Sequence, residues 1–137
     1  MALLKPIFTW LVQNDNDDYE ACKKYTEPGA LQVGDELVKN IRIYNGYGGV
    51  QVENSYNTKL VIAFKNYEDN FLLNLIEVKV NDSDYEKLEI DIDRGIINIG
   101  DIYKNSYVDL KVKLGPIQEN ISTSFKSMAL YLENDKN

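Results

Sequence analysis

At 137 residues, 44% hydrophobic and 27% charged, the chain has the size and composition of one globular domain, long enough to bury roughly two-thirds of its unfolded surface. A formal net charge of −7 argues against binding along a nucleic-acid backbone, which needs clustered Lys and Arg to displace counterions, and no apolar run approaches the ~18 residues of a membrane helix. The absence of His excludes Ser-His-Asp and Cys-His sites and removes the commonest transition-metal ligand.

The first 31 residues read as an arm. Ile7, Phe8, Trp10, Leu11 and Val12 form a compact apolar group interrupted upstream by Lys5 and Pro6, without the basic region and small-residue cleavage site of a secretion signal. Phe8 and Trp10 have two uses open to them: plugging one end of the domain's own core, or docking on another subunit. The run from Asn14 to Asp18 is entirely Asn and Asp; Asp17 or Asp18 can cap a short helix reaching Tyr25, which Pro28-Gly29 then stops. The single Cys22 cannot form an internal disulfide and reads as a structural thiol in a reducing compartment.

From residue 32 to 133 the pattern is that of strands. Leu37 to Tyr44 places Leu37, Ile41 and Ile43 on one face, and Asn45-Gly46-Tyr47-Gly48-Gly49 follows as a turn or bulge. Val50 and Val52 suggest a short strand, and Asn54 to Thr58 a polar loop. Leu60 to Lys65 is apolar on both phases, the mark of a strand covered on both faces. Leu72 to Val80 changes phase, which a one-residue bulge near Leu75 would reconcile. Asn81 to Asp84 turns the chain into Lys87–Asp93, where Leu88, Ile90 and Ile92 alternate with acids and are expected to face inward.

Gly95 to Leu114 organises the rest: a short strand around Ile96, Ile97, Ile99 and Ile102, a turn at Lys104-Asn105-Ser106, and a long half-buried strand with Val108, Leu110, Val112 and Leu114 on its apolar face. Gly115-Pro116 ends that strand, Phe125 to Leu132 is the last one, and residues 134–137 should fray. Seven to eight strands without a long helix give an all-β fold, an antiparallel β-sandwich of immunoglobulin-like type, with a jelly roll or small barrel as the alternative.

No residue pattern points to catalysis, a cofactor or a metal, and the chain is read as a non-enzyme. The acid pairs Asp82 with Asp84 and Asp91 with Asp93 fall in a turn and on the solvent phase of a strand, where carboxylates are ordinarily hydrated. Asn14, Asp15, Asn16, Asp17, Asp18 and Glu20 offer oxygens to calcium, but Tyr19 stands where the loop of an EF-hand needs Gly, so a solvated loop or helix start is the preferred reading. Gly46, Gly48 and Gly49 lack the spacing of a phosphate-binding loop. The triplets Asn81-Asp82-Ser83 and Asn120-Ile121-Ser122 match a glycosylation acceptor without a secretory context. Ten Tyr stand out, with Tyr44, Tyr47 and Tyr56 bracketing the glycine turn and Tyr67, Tyr85, Tyr103 and Tyr107 near other strand ends; loop tyrosines are frequent contact residues. The candidate partner-binding set is therefore Ile7, Phe8, Trp10, Leu11, Tyr44, Tyr47 and Tyr56.

The phrases IRIYNGYGGV, NTKLVIAF, LIEVKV, GIINIGDI and SYVDLKVKL, within Leu37 to Leu132, resemble small immunoglobulin-like domains in virion proteins of tailed phages of clostridia-like Gram-positive bacteria. The resemblance implies a structural accessory made in the bacterial cytoplasm and located on the virion, with capsid or tail subunits, or further copies of itself, as partners and neither nucleic acid nor membrane among them. A capsid decoration protein attached through its N-terminal region is the expected role. A tail or baseplate accessory and a carbohydrate- or cell-surface-binding module are the alternatives.

Overall fold

A computed structural model describes residues 4–13, 16, 18–21, 36–64, 67–116 and 128–135. The expected all-β sandwich is present: two antiparallel sheets enclose one apolar core. Ten strands lie among the described residues: β1 (Phe8–Gln13), β2 (Tyr19–Ala21), β3 (Leu37–Asn45), β4 (Ser55–Phe64), β5 (Ile76–Val80), β6 (Glu86–Lys87), β7 (Glu89–Asp91), β8 (Arg94–Ile102), β9 (Ser106–Leu114) and β10 (Met128–Glu133). One sheet has the order β2-β1-β3-β9-β5-β6 and the other β10-β4-β8-β7.

Alternation decides what lies between the sheets. In β9, Val108, Leu110, Val112 and Leu114 are buried, and in β3, Ile41 and Ile43 meet Leu110 and Val108 in register on the same face. The opposing layer is built from Leu60, Ile62, Phe64 and Ile97. Val61, on the other face of β4, is also fully buried, as a strand apolar on both phases requires. The organising stretch is not a hairpin. β8 ends in one sheet at Ile102 and β9 begins in the other at Ser106, so the turn between them carries the chain across the sandwich.

Several expectations are corrected locally. Leu72 to Leu75 belongs to a 3₁₀ helix, Tyr67–Leu75, and not to a bulged strand. The phase change reflects a period near three, which brings the buried Leu73 and Ile76 to one side. Residues 50–54 form no strand, although Val52 is buried, whereas β4 starts at Ser55 with irregular register at Ser55 and Thr58. The run from Lys87 to Asp93 splits between the sheets: only Leu88 is buried, while Ile90 and Ile92 are exposed. Leu88 seats against Gly95, where an added Cβ would stand 2.5 Å from Leu88 Cδ1.

The N-terminal segment is woven into the larger sheet. β1 pairs with β3 from Phe8↔Asn45 to Val12↔Ile41. Tyr19–Ala21, expected to open a helix, is extended and pairs with β1; the remainder of that helix to Tyr25, Cys22, Pro28-Gly29 and the Asn120 triplet lie outside the described residues.

Candidate functional site

The starts of β1, β4 and β9 and the ends of β3 and β8 gather at one end of the sandwich, and Asn45 ties them together. Its position is inward by the alternation of Ile41 and Ile43, yet its side chain is polar and fully buried, so each of its groups needs a partner. The Ile7 amide donates to Asn45 Oδ1 (3.2 Å), and Asn45 Nδ2 donates to the carbonyls of Glu53 (2.8 Å) and Ile102 (3.0 Å). Its own carbonyl accepts the Asn105 amide at 2.7 Å. Gly46 follows with φ +86°, and a Cβ there would stand 2.7 Å from Val52 Cγ2, so both conformation and space demand Gly. The Gly46 amide in turn donates to the Ile7 carbonyl at 3.0 Å.

On this frame the outer face of the larger sheet carries a row of rings. Arg42 and Asp109 face each other in register and form a two-bond pair, Nε to Oδ1 at 2.7 Å and Nη2 to Oδ2 at 3.1 Å. The Arg42 guanidinium lies 4.0 Å from the Tyr107 ring centre and 4.2 Å from that of Tyr19. Tyr44 continues the row, 5.6 Å from Tyr107 and 5.4 Å from Tyr47, the latter edge-on. The Tyr44 hydroxyl donates to the Asn105 carbonyl (3.1 Å), fixing the ring to the β8–β9 turn. Tyr47 and Tyr107 are 52% and 48% exposed, and Tyr103 on that turn is exposed as well.

Electrostatically the row is close to neutral. The hydrogen bond to Asp109 holds the Arg42 guanidinium above its ordinary range, outweighing the opposing effect of burial. Burial, and then the Asp109 charge, push the Tyr19 phenol above its ordinary value, so it stays protonated at neutral pH. Rigid rings around a neutralised guanidinium suit contact with a flat polar-aromatic surface, and two-angle side chains are ordered at small entropic cost.

Of the seven residues expected to bind a partner, Ile7, Tyr44, Tyr47 and Tyr56 stand at this end. Ile7 is exposed, and the Tyr56 hydroxyl accepts from Asn54 Nδ2, whose side-chain oxygen accepts the Lys104 amide. Phe8 and Trp10 instead pack half-buried against the core. Leu11 is buried on the outer face, in register between Ala21 and Arg42. Sequence reasoning passed over Arg42 and Asn45, although each left a signal. The chain has only two arginines in a Lys-rich composition, and Asn45 is a polar residue on an inward phase.

The other candidate sites gather no chemistry. Asp82, Asp84, Asp91 and Asp93 are exposed, and among the described residues no group of three or more His, Cys, Asp or Glu is placed to hold a metal ion. Of the acidic run, Asn14, Asp15, Asp17 and the Glu20 side chain lie outside the described residues. Asn81 uses its side-chain oxygen internally, accepting the Asp109 amide at 3.0 Å. Among the described residues no helix is long and apolar enough to cross a membrane.

No family model and no curated protein matches this chain. A solved structure described as "AvmM Catalyzes Macrocyclization in Alchivemycin A Biosynthesis" is similar at 11% sequence identity and a TM-score of 0.46, covering 82% of this chain and 65% of that one. The chain thus spans slightly less than two-thirds of that protein's length.

Proposed function

We propose that this chain is a non-enzymatic structural protein of a phage-like particle, a capsid decoration protein built as an immunoglobulin-like sandwich and carried to the virion from the bacterial cytoplasm. The observation that carries an attachment role is the exposed tyrosine row, braced by Arg42–Asp109 and by the buried Asn45. Supporting it, the N-terminal segment expected to anchor the protein leads into the same end, where Ile7 is exposed beside the Gly46 turn. The phage assignment rests on the resemblance of the strand phrases within Leu37 to Leu132. Repetition on a lattice would make a weak individual contact effective through avidity.

The test is co-sedimentation of the purified chain with particles lacking it. Wild type should pellet, and a Tyr47→Ala, Tyr107→Ala double variant that remains folded should bind about 30-fold more weakly or worse, since truncated aromatic anchors each weaken binding by about 1–2 kcal/mol. Equal pelleting would remove this end from the attachment surface. The exposed rings also favour a second reading, a carbohydrate-binding module. A glycan array with and without calcium separates the two, because decoration requires no saccharide binding.

A further inference from the structure

The opposite end of the sandwich carries a feature the fold itself does not require. β7 turns into β8 through two residues, Ile92 and Asp93, with Asp91 paired to Arg94 across the turn. Ile92 has φ +57° while Asp93 is not left-handed, the pattern of a type II′ turn, whose first central position favours Gly. A β-branched side chain in that conformation crowds its own backbone. Elsewhere among the described residues the chain obeys the rule: every other positive φ belongs to Gly or to Asn57, Asn81 or Asn105. Ile92 is also 92% exposed, so burial does not compensate the strain. Gly would relieve the backbone, and Gly or Asn would each remove an apolar group from water. Local conformation and solvation both disfavour the residue that stands there.

We propose that Ile92 is a docking knob that fills an apolar pocket with a basic rim on a partner protein. The rim follows from the surroundings. Glu89, Asp91 and Asp93 are exposed on the strand and turn that present Ile92. Arg94 pairs with Asp91 (3.6 Å) and with Glu133 (2.9 Å), and among the described residues Glu89 and Asp93 have no cation within salt-bridge distance. A second copy of this acidic chain is a poor occupant, because like charge would meet like. The base of the turn is firm, since Leu88 is locked against Gly95 and the knob is held at a defined position. β8 separates this tip from the Tyr103 turn by nine residues, about 30 Å of strand, so the knob is a contact independent of the tyrosine row. It holds whether or not the particle assignment does.

The experiment places photoreactive p-benzoylphenylalanine at position 92 of the full chain, in the cells that make the protein, with position 82 in another exposed turn as control. Position 92, and not 82, should crosslink to one protein, at an apolar segment flanked by Lys or Arg. With that protein purified, Ile92→Gly should bind on the order of tenfold more weakly or worse, while unfolding about 3 °C higher. Ile92→Leu should retain binding, and Asp93→Lys should weaken it. The proposal is overturned by no crosslink above the control, by a crosslink to an acidic surface, by unchanged binding of Ile92→Gly, or by a lower unfolding temperature for that variant.

Discussion

Replacing Asn45 by Ala removes the side chain that joins β3, β8, the N-terminal segment and the loop before β4. Three side-chain hydrogen bonds disappear, to the Ile7 amide and to the carbonyls of Glu53 and Ile102. The Ile102 bond is buried, so its carbonyl keeps the full penalty of an unsatisfied group, about 1–3 kcal/mol. The other two are partly buried and regain water, leaving a net loss of about 0.5–1.5 kcal/mol each. The expected total is about 2–6 kcal/mol, a large share of the ~5–15 kcal/mol that stabilises an ordinary domain. Urea unfolding followed by the fluorescence of Trp10, which packs against the core from the neighbouring strand, reads this directly. The midpoint should fall with an unchanged slope. Asn45→Asp should be worse than Ala at neutral pH, because a carboxylate would face two carbonyls, and should recover as acid protonates it. A loss below about 1 kcal/mol for Ala, or an Asp variant as stable as wild type at pH 7, would refute the assignment of Asn45 as the tie of this end.

Three further outcomes follow from close contacts and charge. Gly95→Ala should destabilise by about 1–3 kcal/mol in chemical denaturation, and Leu88→Ala in the same chain should return part of that loss, since the new methyl collides with Leu88. Asp109→Asn should cost no more than about 1 kcal/mol, because the pair is part-exposed, whereas Arg42→Lys should also disorder Tyr107, seen as altered near-ultraviolet dichroism. The raised Tyr19 pKa means that the folded state holds the phenolic proton more tightly. Its contribution is complete below the ordinary value of 10.0 and lost as pH rises through the folded value, so Tyr19→Phe should flatten the alkaline fall in stability.

Period-two hydrophobicity made β3, β4 and β9 legible, because Ile41, Ile43, Leu60, Ile62 and Val108 to Leu114 alternate over many residues and a slip would expose the whole set. The same signal misled where the runs were short. Ile90 and Ile92 continue the phase of Leu88, but the chain changes sheet at Leu88, Ile90 falls on the edge strand β7 and Ile92 in the two-residue turn after it, so the phase loses its meaning. Leu72 and Leu73 carry no β-branch and lie in a 3₁₀ helix whose period is close to three. At the candidate site, the tyrosines beside the glycine turn were visible from chain position alone. The Tyr19–Arg42–Tyr107 stack was not, since its members are far apart in sequence and are joined by the pairing of β2, β1, β3 and β9.

Attachment through the tyrosine-rich end would cover that surface against the particle. Hydroxyl-radical footprinting of the chain, free and bound to particles, measures that directly. Oxidation of Tyr47, Tyr103 and Tyr107 should slow severalfold on binding, while Tyr131, exposed on the four-stranded sheet, should react at an unchanged rate. Equal oxidation of Tyr47, Tyr103 and Tyr107 in the two states, or protection confined to Tyr131, would contradict it.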